Sequence, residues 1–250
     1  MKKPNRFIAS VLVVLLGGCS SLDTTSTGGI KPDYEKAYQD YLALGAQYLQ
    51  MGRYDLAEPK LKRAIEINSQ PAEAWNVLAV LYEEKRDIAS GYQAYQKLIS
   101  SHPDYTLGFV NFATFLCKFN RDPERQALYQ QMRGKGAEFQ TLSYIMQGNC
   151  ERSRGNITGA EGAYRQALTL DSQAPGALLP LAEIALQRGN ATAALNYLRI
   201  VHTYVGYSAE SAYLGIQAAR QVGDVRMEED LLRVMRASYT QSPQAQQLGL

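Results

Sequence analysis

Five side chains hold most of the reactive chemistry this 250-residue chain has to offer: Cys19, Cys117, Cys150, His102 and His202. A thiolate can be a nucleophile, a metal ligand or half of a disulfide, and imidazole a base or a ligand. The spacing excludes a metal site, because neither histidine has a Cys, His or carboxylate partner at ligand distance along the chain. Both are read as structural residues at matching connections. There is no G-x-x-x-x-G-K phosphate loop, no G-x-S-x-G elbow and no readable pair of carboxylates. Catalysis, a cofactor and a small-molecule substrate are therefore not expected. The net charge of +2 is spread along the chain without a basic, aromatic-interleaved stretch, which speaks against nucleic acid. What remains open to the thiols is attachment or cross-linking, and the elements that carry them decide which.

Those elements repeat. Six segments align at 34 residues, with one interval of 35, when the small or apolar residues Gly45, Ala79, Ala113, Gly148, Ala182 and Ile216 are taken as markers. Around the second marker stand Trp75, Leu78, Ala79, Tyr82, Gly91, Tyr95, Leu98 and Pro103; the first and fourth segments keep Tyr41, Leu44, Tyr48, Ala57 and Leu61, and Tyr144, Ala160, Tyr164 and Ala167. This pattern resembles the tetratricopeptide repeat (TPR), a helix-turn-helix unit whose small residue lets its two helices approach closely. The resemblance implies an all-α superhelical solenoid of six repeats over residues 34–240, at about 38–71, 72–105, 106–140, 141–174, 175–208 and 209–240, with 241–250 as a C-terminal tail. Gly52, Gly155, Gly189 and Gly223 fall where first helices must end. Asp55 with Glu58, and Thr158 with Glu161, have the spacing of capping boxes. Alternating strand patterns are nearly absent.

The third segment departs from the pattern. Its first helix carries Phe109, Phe112, Phe115 and Phe119, of which Phe112 and Phe119 share a face with Leu116. Two readings stand: a helix buried on both sides, or a partly exposed apolar groove. Pro123, Gly134 and Gly136 point to a short or displaced second helix.

At the N-terminus, Lys2, Lys3 and Arg6 precede an apolar stretch from Phe7 to Gly18 that is too short to span a membrane and has the length of a signal-peptide core. The run Leu16-Gly17-Gly18-Cys19 resembles a bacterial lipobox. The resemblance implies removal of residues 1–18 and lipid on the Cys19 sulfur, with Ser20 favouring the outer membrane. Several acyl chains anchor firmly, because each buried methylene contributes about 0.8 kcal/mol. Residues 19–33, rich in Ser, Thr and Gly, read as a flexible tether.

A periplasmic setting is oxidising, and it leaves Cys117 and Cys150 late in the first helices of adjacent repeats. A disulfide is expected between them, worth roughly 3–4 kcal/mol on the loop-entropy model; two buried free thiols are the alternative.

A TPR stack offers a concave surface lined by its first helices. By the family pattern its outward positions are Leu42, Ala46 and Leu49, then Asn76, Val80 and Glu83, then Val110 and Thr114, with Ile145, Asn149 and Arg152 following. The N-terminal half is apolar with an acidic edge, unlike the Lys- and Asn-rich groove that clamps a C-terminal carboxylate.

Lipobox, short tether, six repeats, the segment Asn111-Phe-Ala-Thr-Phe-Leu-Cys117 and a second cysteine in repeat four together resemble the PilF/PilW family, outer-membrane lipoproteins of type IV pilus biogenesis. The resemblance implies a pilotin: an adaptor, not an enzyme, that binds secretin subunits, is tied to the periplasmic face of the outer membrane by its lipid, and promotes secretin multimerisation. The alternative is a general periplasmic TPR adaptor for envelope or peptidoglycan machinery.

Overall fold

Each second helix starts just after a backbone turn that only a few residue types adopt easily, and this turn sets the rhythm of the molecule. The computed structural model describes residues 33–250; residues 1–18, Cys19 and the tether through residue 32 lie outside the described residues. Thirteen helices follow in tandem, and no strand occurs among the described residues. They pair as α1 (Tyr34–Gln50) with α2 (Tyr54–Ile67), α3 (Ala72–Glu84) with α4 (Ile88–Ser101), and α5 (Thr106–Lys118) with α6 (Asp122–Arg133). The next pairs are α7 (Ala137–Ser153) with α8 (Ile157–Leu170), α9 (Pro175–Gln187) with α10 (Ala191–Tyr204), and α11 (Ala209–Val222) with α12 (Val225–Ser238); α13 (Pro243–Gln247) closes the chain. The architecture is an all-α TPR solenoid.

Within each pair the turn residue is left-handed: Gly52, Gly155, Gly189 and Gly223 have φ between 69° and 79°. The same turn in the second and third pairs is made by Arg86 at φ 58° and Asn120 at φ 54°. Asparagine tolerates this region, whereas an arginine Cβ crowds the following carbonyl. Arg86→Gly is therefore expected to stabilise the protein by about 0.5–1 kcal/mol, after allowing for the greater freedom of glycine in the unfolded chain. An upward shift of the urea midpoint checks this.

The helix that follows starts at once, so its cap is set by the turn. Asp87, Asn156, Asn190 and Asp224 each accept a hydrogen bond from the backbone N–H three residues on. This corrects the two expected capping boxes. Asp55 lies inside α2 and is bound by Arg53, and Thr158 lies in the first turn of α8, whose cap is Asn156. Glu58 and Glu161 do different work, joining neighbouring repeats. Glu58 accepts from Tyr82 Oη at 3.1 Å and pairs with Lys62 at 2.8 Å and Lys85 at 2.6 Å, while Glu161 pairs with Arg165 and Arg188.

Hydrogen bonds from Lys62 and Lys85 hold the Glu58 carboxyl down to about 2. A depressed carboxylate contributes stability above its unfolded pKa, near 4.3, and that contribution is lost as pH falls toward 2. Wild type is thus expected to melt above Glu58→Gln at pH 7, with the gap closing between about pH 4.3 and pH 2. Parallel thermal melts across that window would show it; a gap independent of pH contradicts it.

Close approach of the paired helices rests on small residues. A Cβ on Gly45 would lie 2.6 Å from Leu61, one on Gly148 2.5 Å from Tyr164, and one on Gly215 2.8 Å from Leu231. In every case the partner is sixteen residues on. The sixth marker is accordingly Gly215, not Ile216, and the last interval is 33 residues. Ile216 faces another way, into a terminal cluster with Ala212, Leu231, Met235 and Ala245.

That cluster corrects the expected tail. Ser242 caps α13, and Ala245 is fully buried against repeat six, so the end of the solenoid is closed by a helical turn. In the third pair, α6 has 12 residues where the other second helices have 14. Pro123 sits harmlessly in its first turn, the helix ends at Arg133 with Gly134 as its C-cap, and Gly136 at φ 112° leads into α7. The aromatic helix is core: Phe109, Phe112 and Phe115 are buried, with Phe115 5.3 Å from Tyr95 and 4.9 Å from the half-buried Phe119 between ring centroids. The exposed-groove reading of these rings does not hold.

Candidate partner-binding groove

Successive first helices touch one another along the stack, and successive second helices do not make comparable contact. The solenoid therefore curves with α1, α3, α5, α7, α9 and α11 on its inner side, which is the surface the expected binding positions occupy.

Those positions fall into two chemical groups. Leu42, Ala46, Leu49, Val80 and Val110 are half-buried aliphatic side chains, and Leu42, Leu49 and Val110 lean on the main core while keeping part of their surface open. Thr114 is exposed, with its hydroxyl donating to the Val110 carbonyl at 2.9 Å. The polar positions are occupied from within. Asn76 is 9% exposed and accepts from Asn111 Nδ2 at 2.8 Å. The Glu83 side chain is 12% exposed, accepting from Lys118 Nζ at 2.9 Å and from Tyr95 Oη at 3.2 Å. Ile145 is buried, Asn149 accepts from Tyr164 Oη at 2.8 Å, and Arg152 pairs with Glu183.

Two of the expected contact residues are thus corrected: Asn76 and Glu83 tie α3 to α5 and are not open to a partner. The reason is burial, since a polar group between two packed helices must find its hydrogen bonds inside the protein. Desolvation, then the Glu83 charge, pushes the Tyr95 phenol well above its usual value, so it stays protonated as the donor. Asn111, Lys118 and Tyr95 escaped the reading by position. A signal was available, because Asn76–Asn111 and Glu83–Lys118 are both separated by 35 residues, about one repeat.

What the groove presents is an apolar strip over repeats one to three, edged by internally paired charges. Such a strip can take the apolar face of a helix or an extended segment with alternating side chains. Among the described residues no group of three or more His, Cys, Asp or Glu could hold a metal ion. His102 Nε2 lies 2.6 Å from the Gln70 carbonyl, linking successive connections, and burial lowers the pKa of His202.

At the end of the strip, Cys117 of α5 and Cys150 of α7 are bonded, with Cα atoms 5.8 Å apart. The buried Arg125 guanidinium lies against Cys150 Sγ and 3.8 Å from Cys117 Sγ.

The tetratricopeptide repeat family profile matches residues 42–106 and 145–201. The type IV pilus assembly protein PilF of Pseudomonas aeruginosa is 23% identical over 215 residues, covering 86% of this chain and 85% of that protein. The chain is thus similar to PilF over most of its length. Solved structures agree in fold: that of PilW, described as a widely conserved type IV pilus biogenesis factor, has a TM-score of 0.56 at 20% identity over 86% of this chain and 99% of its own. The Pseudomonas aeruginosa PilF structure gives 0.54 at 22% identity, covering 86% and 98%. The chain therefore shares its fold with both over 86% of its length. None of its described helices is long and apolar enough to cross a membrane.

Proposed function

We propose that this protein is an outer-membrane lipoprotein adaptor of type IV pilus biogenesis, which binds secretin subunits and promotes their localisation and multimerisation. The observation that carries the reading is similarity to a type IV pilus assembly protein over 86% of one chain and 85% of the other, so that the two match in extent as well as in repeats. Its chemistry is binding: Leu42, Ala46, Leu49, Val80 and Val110 offer desolvation to an apolar segment, and the repeats hold that strip in shape. Lipid on Cys19 ties the complex to the lipoprotein sorting route, and residues 19–33 give it reach.

The deciding experiment compares heat-resistant secretin multimers in outer membranes of wild-type cells, a deletion strain and a strain making only Cys19→Ser protein. Loss of multimers on deletion supports the reading, and the Cys19→Ser strain isolates the part played by the anchor. Unaffected multimers would favour a general envelope adaptor.

Within this reading, Leu49→Glu and Val80→Glu each place a charge where an apolar partner must be desolvated. Both are expected to weaken secretin binding at least tenfold, about 1.4 kcal/mol or more, with unchanged helical circular dichroism. Normal binding by folded variants would move the contact surface elsewhere.

A further inference from the structure

We propose that the Cys117–Cys150 bridge is a thiol–disulfide exchange site, opened at Cys117 by a dithiol while Cys150 leaves as a thiolate held by the Arg125 guanidinium. The inference rests on the bridge alone and is independent of the pilus assignment.

Its ground is the charge around the sulfurs. Arg125 is 4% exposed, the only buried charged side chain among the described residues, and its Nε is buried without a hydrogen-bond partner. One carboxylate answers it: Asp122, at 2.9 Å from Nη2, is half exposed and shared with Arg154 at 2.7 Å. Glu151, next to Cys150 in sequence, accepts from Asn156 Nδ2 at 2.8 Å, and the Tyr129 ring lies 6.0 Å from the guanidinium as a neutral phenol raised by burial. Two guanidiniums therefore share one close carboxylate, and the disulfide contributes no charge. A thiolate on Cys150 would supply the missing negative charge beside a buried cation, where it is strongly favoured.

The two sulfurs also differ in access. Cys117 is half-buried on the inner face of the solenoid, and Cys150 is 3% exposed. An incoming thiolate bonds to Cys117 Sγ; the sulfur–sulfur bond breaks with its electron pair on Cys150 Sγ. The second thiol of the reagent, once deprotonated, attacks its own sulfur in the mixed disulfide and releases Cys117 as thiolate, which takes up a proton from solvent. The dithiol leaves oxidised by two electrons and the bridge is reduced to two cysteines. Stabilising the leaving thiolate accelerates opening, and stabilising the reduced pair raises the reduction potential. The partner class is a dithiol of the kind found in thiol–disulfide oxidoreductases, and its effect is to release α5 from α7 midway along the solenoid.

The test measures native-state opening of the oxidised full chain by dithiothreitol, quenched by alkylation and read as intact mass. Arg125→Met is expected to open roughly tenfold more slowly than wild type, and Arg125→Lys to recover most of the rate. Equal rates in Arg125→Met and wild type overturn the proposal, as does alkylation of both cysteines before any reductant is added. Two further readings do not depend on the folding of Arg125→Met. Glutathione is expected to be trapped on Cys117, and an adduct on Cys150 overturns the direction of attack. In Cys117→Ser, the ultraviolet thiolate absorbance of Cys150 is expected to titrate below the ordinary thiol value of about 8.5, and titration at or above it overturns the role of Arg125.

Discussion

Cys150→Ser is expected to lower stability by about 4 kcal/mol. The bridge spans a sequence separation of 33 residues, and on the loop-entropy model a closed loop of that length removes this much freedom from the unfolded chain. Serine, like the disulfide, brings no charge, so Arg125 keeps Asp122 as its close counter-charge and the loop term carries the effect. Wild type reduced with excess dithiothreitol should lose somewhat less than Cys150→Ser, since the reduced protein can still set a Cys150 thiolate against Arg125. In a solenoid the loss is local as well as global, so amide exchange should quicken first in α5, α6 and α7. Urea unfolding of the three forms gives the ordering, and an unchanged midpoint in Cys150→Ser would remove the bridge from the account of stability.

Phe115→Ala is expected to cost about 3–5 kcal/mol, the range for removing a fully buried phenyl ring. The ring joins repeats two and three: its centroid is 5.3 Å from Tyr95 on one side and 4.9 Å from Phe119 and 6.3 Å from Phe112 on the other. Room for it is made by Gly91 in α4, where a Cβ would lie 2.9 Å from the Phe115 ring. This sets a sharper test. Gly91→Ala should destabilise wild type through overpacking, but in the Phe115→Ala background its methyl enters the cavity and its helix propensity counts in its favour. A double-mutant cycle should therefore show a favourable coupling of about 1–2 kcal/mol, and simple additivity would mean that the backbone relaxes to close the site.

Some features were legible because they are local. The period, the turn glycines and the absence of strand patterns follow from spacing and from backbone preferences that each residue carries with it. The register of Cys117 and Cys150 followed from the same period, once the repeat was recognised. Where the reading slipped, the deciding partner lay elsewhere in the fold. Asp55 and Thr158 have capping-box spacing, but the left-handed turn before each helix places the cap two residues earlier, at Arg53 and Asn156. Gly215 rather than Ile216 faces Leu231 because the last repeat is stacked one residue early.

By itself, then, the sequence determined the all-α solenoid and where its helices turn, because a 34-residue period of small, aromatic and turn residues can be buried in few other ways. Only the tertiary structure decided which inner-face residues remain open to a partner. Asn76 and Glu83 look like contact residues along the chain and are consumed by Asn111, Lys118 and Tyr95 across the next helix or within the same repeat. Arg125 has no pattern that marks it, and its meaning comes from sulfurs contributed by two other helices. Burial is the physical reason in both cases: it depends on which helices meet, and it turns an ordinary polar side chain into one whose every partner matters.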